Sequence, residues 1–202
     1  LGTALAMAAT IMIIIFAAGI PLYQLGLIAA LSLPASLYLM VSEPYRLRRM
    51  TSFLDPWADP LHTGYQIIQS LYALGPGGLF GVGLGRGRQK LFFLPEPHSD
   101  FIFAVIGEEL GFIGTSSVLL LYLLLLWRGF KVALMAPDSF GSLLATGITA
   151  MIGVQALINI GVVTGSLPVT GINLPLISAG GSSLLVILSS IGILLNISKH
   201  SR

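Results

Sequence analysis

The sequence predicts an all-α, polytopic membrane protein: a bundle of about six transmembrane helices with a large extracytoplasmic loop. Its 202 residues are 55% hydrophobic and only 9% charged, whereas a soluble domain averages about 25% charged residues. The mean hydropathy is +0.92, and the apolar runs are continuous, not alternating as the strands of a lipid-exposed barrel would be. A bilayer is therefore the solvent that fits this composition.

Stretches of about 20 mostly apolar residues can cross the roughly 30 Å of hydrocarbon in a bilayer. The third predicted span is short and carries Gln66, Gln69 and Ser70, so we expect it to face other helices or a cavity instead of lipid. A single transmembrane domain then covers 1–202. Its predicted spans are 1–20, 22–41, 63–74, 101–127, 141–163 and 176–197, with the extracytoplasmic loop at 75–100.

Some functional classes are excluded by composition. The chain has no cysteine, which rules out disulfides, thiol catalysis and zinc thiolate sites. A net charge of +2 is too small to indicate a nucleic-acid partner. Apolar sequence begins at Leu1 without a charged region before it, which is not typical of a signal peptide. We therefore expect an internal or C-terminal piece of a longer protein.

Basic residues orient the predicted spans, because loops on the cytoplasmic side carry an excess of Lys and Arg. Three of the four basic groups are separated by even numbers of predicted crossings and are assigned to the cytoplasm, together with the C-terminus. The second group is then extracytoplasmic, against the rule, and binding of an anion beside its glycine-rich backbone explains it. The groups are Arg46, Arg48 and Arg49; Arg86, Arg88 and Lys90; Arg128 and Lys131; and Lys199 and Arg202.

Asp100 is the candidate catalytic residue of the loop. It stands directly before the fourth predicted span, where an aspartate is favoured as a helix cap and complements the helix dipole. It would also lie at the mouth of a cavity, within reach of the anion site, where a carboxylate can act as a general base. The residue pattern alone leaves both interpretations open. His98 is interpreted as a loop residue oriented by Pro97, not as a metal ligand.

Polar residues inside the later spans are candidates for lining a cavity. Glu108 and Glu109 are costly in a bilayer unless they face protein or water. They point about 100° apart and so cannot share one partner; we interpret them as buried, hydrogen-bonded carboxyl groups, with a proton or ion pathway as the alternative. Gln155 and Asn159 lie one turn apart, which favours hydrogen bonds between helices. Ser182 and Ser183 are expected to cap the last span or to line the cavity.

Several motifs, in order along the chain, resemble one family. The segments 94–104 (LPEPHSDFIFA) and 107–111 (GEELG) resemble the signature of the SEDS proteins FtsW, RodA and SpoVE, and the FtsW and SpoVE members are the most similar. The resemblance covers essentially the whole chain. Further matching blocks are 1–3, 55–60, 64–66, 69–70, 77–81, 88–90, 155–159, 167–171 and 180–183.

The resemblance implies a peptidoglycan glycosyltransferase of the bacterial cytoplasmic membrane, acting in cell division, cell-shape control or sporulation. It would polymerise lipid II at the outer face with inversion, with Asp100 as the catalytic residue. Membrane lipid surrounds such a protein, and its implied partner is a class B penicillin-binding protein. A divalent cation, Mg²⁺ or Mn²⁺, would assist, although the chain shows no dedicated metal cage. The residues assigned to substrate binding are Arg86, Arg88, Lys90, Glu96 and His98.

Two alternatives to polymerisation remain open: a flippase for lipid II, and a non-catalytic scaffold of the division or elongation machinery. A transporter would use charged residues near the midplane, for which Glu108 and Glu109 are the candidates. The sequence also departs from the family pattern. The family has about ten spans, of which this chain would hold the last six. Ala179 stands where the family usually has tyrosine, and Phe92 where some division-type relatives have an acidic residue.

Overall fold

The computed structural model describes residues 2–42, 48, 51–88 and 98–200. These residues form six α-helices and one short 3-10 helix and contain no β-strand, which confirms the all-helical fold class. The 3-10 helix, Pro56–Ala58, precedes the third α-helix. The α-helices are α1 (Gly2–Ala17), α2 (Leu22–Val41), α3 (Tyr65–Gly77), α4 (Ile102–Met135), α5 (Ser139–Val163) and α6 (Gly181–His200).

Helix length separates the spanning helices from α3. Helices α4, α5 and α6 are long and apolar enough to cross a membrane, and α1 and the first part of α2 are shorter apolar helices. Helix α3 has only 13 residues, which at 1.5 Å per residue gives about 20 Å. That is well short of the roughly 30 Å of hydrocarbon, so a crossing by α3, as predicted for 63–74, does not fit its length.

The direction of α1 relative to α5 corrects the predicted order of crossings. At the start of α1, Gly2 contacts Thr170, just after the end of α5, and near its end Ile14 contacts Gly147 in the first part of α5. The two helices are therefore antiparallel. A crossing by α3 would make them parallel. Helix α3 consequently lies at one end of the bundle, which we call the α3 end.

This arrangement regroups the basic residues. Arg48 follows α2 and lies close to the residues just before α3, at the α3 end together with Arg86 and Arg88 and not on the opposite side as predicted. Arg128 and Lys131 lie in the last part of α4 and Lys199 in the last turn of α6, at the other end of the bundle. Arg86 and Arg88, predicted to lie on the side opposite Arg48, thus share the α3 end with it and with the other described residues between α2 and α4.

Helix α4 is bent sharply at Gly111. This residue has φ of 66° and ψ of −159°, a combination that favours glycine. A methyl group on Gly107 would lie 3.4 Å from Cγ2 of Thr115, whereas positions eight residues apart in a straight helix are about 12 Å apart. The bend therefore folds a nine-residue arm, residues 102–110 (the α4 arm), back towards the spanning part of α4.

The connection between α5 and α6 turns into the bundle. Residues 164–180, which we call the inward loop, place the Pro175 carbonyl where the Tyr122 hydroxyl donates to it. Tyr122 lies ten residues beyond Phe112 on α4, about 15 Å along the helix. Irregular backbone at that depth is tolerated only where protein or a cavity surrounds it. The sixth helix accordingly begins at Gly181 and not near residue 176.

We expect Gly111→Ala to destabilise the protein, by about 2 kcal/mol or more, because a side chain at this φ is strained. The added methyl group would also lie only 2.7 Å from the Leu79 carbonyl carbon and oxygen. Thermal unfolding in detergent measures the change. Gly192→Ala in α6 is the matched control, since no heavy atom lies within 4 Å of its added methyl group. Equal melting temperatures for the two variants would contradict the role assigned to Gly111.

Candidate functional site

Three consecutive backbone carbonyls hold the segment that ends at Asp100. The carbonyl of His98 accepts from the Ala179 amide (2.8 Å), and the carbonyl of Ser99 accepts from the Ser178 hydroxyl (2.5 Å). The carbonyl of Asp100 accepts from Asn159 Nδ2 (2.7 Å). Two donors come from the inward loop and one from α5. The backbone of Asp100 is therefore positioned by elements that are distant in sequence.

Asn159 connects Asp100 with the inward loop. Its Nδ2 also donates to the carbonyl of Ile172 (2.7 Å), and because both partners are acceptors, the amide nitrogen must face them. The side chain is only 1% exposed. Its Oδ1 has no hydrogen-bond partner among the described residues, so the site can still accept one donor. Asn159 was predicted to form hydrogen bonds between helices. Its partners are instead the backbone carbonyls of two loop residues, Asp100 and Ile172.

The Asp100 carboxylate lies beside Gly171 of the inward loop. A methyl group on Gly171 would be 3.5 Å from Asp100 Oδ2, and Gly171 has φ of +70°, which favours glycine. Asp100 is half-buried, and the N-cap position of α4 is occupied by Phe101, without a side-chain capping hydrogen bond. The cap interpretation of Asp100 expected α4 to begin one residue earlier than it does. A half-buried carboxylate on a fixed backbone can accept a proton from a bound hydroxyl.

The second part of the site is the glycine-rich loop, residues 78–88, which pairs with the bend in α4. The bend leaves backbone groups of α4 without helical partners. Amides of Val82 and Gly83 donate to the carbonyls of Glu108 (2.9 Å) and Glu109 (3.1 Å). In the other direction, the amide of Phe112 donates to the carbonyl of Gly78, 2.8 Å away. The loop therefore satisfies the groups that the bend exposes.

Glu108 and Glu109 extend this pairing with their side chains. Glu108 Oε1 accepts from the Arg88 amide (2.7 Å), and Glu109 accepts from the amides of Gly85 (3.0 Å) and Gly87 (3.3 Å). A methyl group on Gly87 would lie 2.8 Å from Glu108 Oε2, so the close approach of the carboxylate depends on glycine. As predicted, the two acids have different partners. Both bind loop backbone, so their role in the structure is to hold the loop.

The hydrogen bonds of the Glu108 and Glu109 carboxylates to the loop amides, which we call the clamp, fix the backbone that carries Arg86 and Arg88. Both side chains are exposed, and among the described residues neither forms an ion pair with a carboxylate. Glu108 is eight residues from Asp100, which along a helix corresponds to about 12 Å. The structure thus places the two arginines and Asp100 at opposite ends of the α4 arm. This geometry leaves the arginines available to an external anion.

The remaining predicted site residues are dispersed. His98 is exposed, and Ser182 and Ser183 are exposed in the first turn of α6. The Ser183 hydroxyl donates to the Gly180 carbonyl (3.0 Å), so it does not cap the helix. Gln155 lines a groove of about 450 Å³ between α1 and α5. The predicted substrate-binding residues Lys90 and Glu96 lie outside the described residues.

Three contributions to the site were not anticipated from the sequence. Tyr122 donates to the inward loop, Ser178 joins that loop to the Ser99 carbonyl, and Leu176 within the loop has φ of +69°. A positive φ at a residue other than glycine is strained and often occurs at functional sites. A single tyrosine in the leucine-rich run of α4 was a usable signal for Tyr122. No sequence feature distinguished Ser178 from the other residues of a segment rich in Gly, Pro and Ser. Within the described part of the chain, no group of three or more His, Asp or Glu side chains could hold a metal ion.

A bundle with an inward loop, a bent helix arm and a fixed carboxylate defines a polytopic membrane protein with a site at one end. The chain matches the model of the FtsW, RodA and SpoVE family of cell cycle proteins over residues 1–202. It therefore belongs to this family.

Two relatives and one solved structure illustrate the match. The chain is 56% identical over 202 residues to stage V sporulation protein E of Bacillus subtilis strain 168, covering 100% of the chain and 55% of that protein. It is 52% identical over 203 residues to a probable peptidoglycan glycosyltransferase FtsW of Geobacter sp. strain M18, covering 100% and 55%. It also superimposes on a chain of a peptidoglycan synthase complex that coordinates polymerization and crosslinking, with a TM-score of 0.77 and 35% identity, covering 98% and 55%. The chain thus spans about half the length of these relatives.

We expect Asn159→Leu to lower the free energy of unfolding by about 2–4 kcal/mol, because two buried carbonyls lose their donor. Gln155→Leu is the matched control: it lies one turn earlier on α5, and its amide forms no hydrogen bond with the described residues. Chemical denaturation in detergent compares the two variants. Similar losses for both would show that the Asn159 hydrogen bonds are not the source of the stability.

We expect Glu109→Ala to free the amides of Gly85 and Gly87. The variant loses two charge-assisted hydrogen bonds that hold the glycine-rich loop. If this lowers the free energy of opening the loop by about 1.4 kcal/mol, the loop is open ten times as often. Hydrogen–deuterium exchange across 78–88 should therefore accelerate about tenfold. Exchange across the inward loop is the internal reference and should not change. Unchanged exchange at Gly85 and Gly87 would rule out the clamp.

Proposed function

We propose that the full-length protein is an inverting peptidoglycan glycosyltransferase that polymerises lipid II at the outer face of the bacterial cytoplasmic membrane. The observation that carries this proposal is the carboxylate of Asp100 on a backbone fixed by three consecutive hydrogen-bonded carbonyls. Relatives named as probable peptidoglycan glycosyltransferases, matched over the whole of this chain, support it.

The proposed reaction uses Asp100 as a general base. Its carboxylate takes the proton from a hydroxyl of the acceptor sugar, and the hydroxyl oxygen attacks the anomeric carbon of the donor. The bond between that carbon and the pyrophosphate oxygen breaks, and the lipid pyrophosphate leaves from the opposite face, which inverts the configuration. Arg86 and Arg88 are suited to bind the pyrophosphate, because guanidinium groups match phosphate oxygens in charge and geometry.

The α3 end is proposed to face the outside of the cell. Arg128, Lys131 and Lys199 lie near the other ends of their helices, and basic residues close to spanning segments favour the cytoplasm. The segment 42–101 is about 60 residues long, close to the length at which translocation no longer follows charge. The anion site and Asp100 would then both meet substrate on the outer side, and the C-terminus would be cytoplasmic.

A class B penicillin-binding protein is the proposed partner, since one structural neighbour belongs to a synthase complex that coordinates polymerization and crosslinking. The flippase alternative is less well supported by geometry. Glu108 and Glu109 would have to relay charge near the midplane, yet both hydrogen-bond to loop amides. The second alternative, a scaffold without catalytic activity, is tested by the polymerisation assay described next.

We expect Asp100→Asn in the full-length protein, with its partner present, to lower the rate of lipid II polymerisation about 10²–10⁴-fold, the usual contribution of a general base. Asp55→Asn is the matched control, because Asp55 is an exposed carboxylate at the same end of the bundle. Gel analysis of labelled glycan strands measures the rate. Undiminished polymer from Asp100→Asn would remove this residue from catalysis. Loss of polymer with intact flipping in vesicles would reject transport as the sole activity.

A further inference from the structure

The glycine-rich loop and the start of the spanning part of α4 share an exposed apolar surface. Its residues, which we call the apolar patch, are between 51% and 78% exposed. A contiguous exposed apolar surface of this kind marks a site of contact with another protein or with a membrane. The members of the apolar patch are Leu79, Phe80, Leu84, Phe112 and Ile113.

Backbone hydrogen bonds join the two halves of the apolar patch. The amide of Phe112 donates to the carbonyl of Gly78 (2.8 Å), and the amide of Ile113 donates to the carbonyl of Leu79 (3.2 Å). The loop side chains therefore lie next to the first residues of the α4 span. The patch is continuous with the exposed leucines farther along α4, among them Leu120 and Leu123, which lipid surrounds in a membrane-spanning helix.

Two basic residues follow the apolar residues of the loop in the sequence. Arg86 and Arg88 are exposed, and the clamp by Glu108 and Glu109 fixes the backbone that carries them. Apolar side chains next to basic ones are typical of elements that lie in a membrane interface, where the apolar groups enter the hydrocarbon and the cations meet phosphate groups. Charge complementarity and continuity with α4 thus point to the same occupant.

We propose that the glycine-rich loop is a membrane-interface element. Leu79, Phe80 and Leu84 enter the outer part of the hydrocarbon, and Arg86 and Arg88 lie at the level of the phospholipid phosphates. The proposal follows from the surface alone and does not depend on the chemistry of Asp100. It has one consequence for that chemistry: a lipid-linked donor carries its phosphates at the same level, so it would reach the arginines by lateral diffusion within the bilayer.

Site-directed spin labelling of the full-length protein in phospholipid nanodiscs tests this proposal. The chain described here has no cysteine, so Phe80→Cys, Leu84→Cys and His62→Cys each add one label site to it. His62 is the matched aqueous control, because its side chain is 80% exposed, similar to Phe80 at 78%, and it belongs to the same long segment. Phe112→Cys is the reference for lipid contact.

Power saturation then compares collisions of each label with oxygen, which concentrates in lipid, and with a water-soluble nickel chelate. Labels at 80 and 84 should resemble the label at 112, with oxygen access exceeding nickel access, while the label at 62 shows the reverse. Nickel access at 80 and 84 equal to that at 62 would overturn the proposal. Low access to both reagents would overturn it too, since it would indicate that protein, not lipid, covers the apolar patch. Circular dichroism of each labelled variant verifies that the helices are retained.

Discussion

The position of the site depends on three consecutive carbonyls, those of residues 98–100, each of which accepts a hydrogen bond from another part of the fold. Their donors lie on the inward loop and on α5. Both the segment and the inward loop are irregular backbone packed against helices, where an unpaired buried polar group costs several kcal/mol. Donors of the inward loop therefore pair with carbonyls of residues 98–100, and each segment stabilises the path of the other. Asn159 is central because one amide nitrogen serves both.

At the other end of the α4 arm, the bend in α4 is also stabilised by hydrogen bonds between its free backbone groups and another segment. A break in a helix frees amides and carbonyls, and here the glycine-rich loop supplies both kinds of partner. Glutamate side chains would be costly in this setting if they were unpaired. Glu108 and Glu109 instead accept from three loop amides, so their charge is compensated by backbone dipoles. The α4 arm is consequently held at its start by the inward loop and at its end by the glycine-rich loop.

Composition and apolar run length were sufficient to predict an all-helical membrane fold and the approximate positions of helices α1 to α6. They could not determine the crossings, because Gln66, Gln69 and Ser70 fit both a polar span and a helix outside the membrane. The observed length of α3 and the contacts of Gly2 and Ile14 with the α5 region decide between these, and those contacts are tertiary. The motif around Asp100 identified the candidate base. The partners of Glu108 and Glu109 could not be predicted, since they depend on the path of a loop with seven glycines between positions 75 and 87.

The two ends of the α4 arm carry different chemistry, and the arm keeps them apart. Asp100 presents a carboxylate at one end, while Arg86 and Arg88 belong to the loop bound at the other end, about 12 Å along the helix. Direct ion pairing between them would neutralise both, lower the basicity of the carboxylate and remove the anion site. Pairing the loop through backbone amides avoids this, because the carboxylates of Glu108 and Glu109 bind amides and leave the guanidinium groups exposed. A rigid arm with its charges separated in this way can act on a substrate that carries both a hydroxyl and a phosphate, provided that the substrate is long enough to reach both ends.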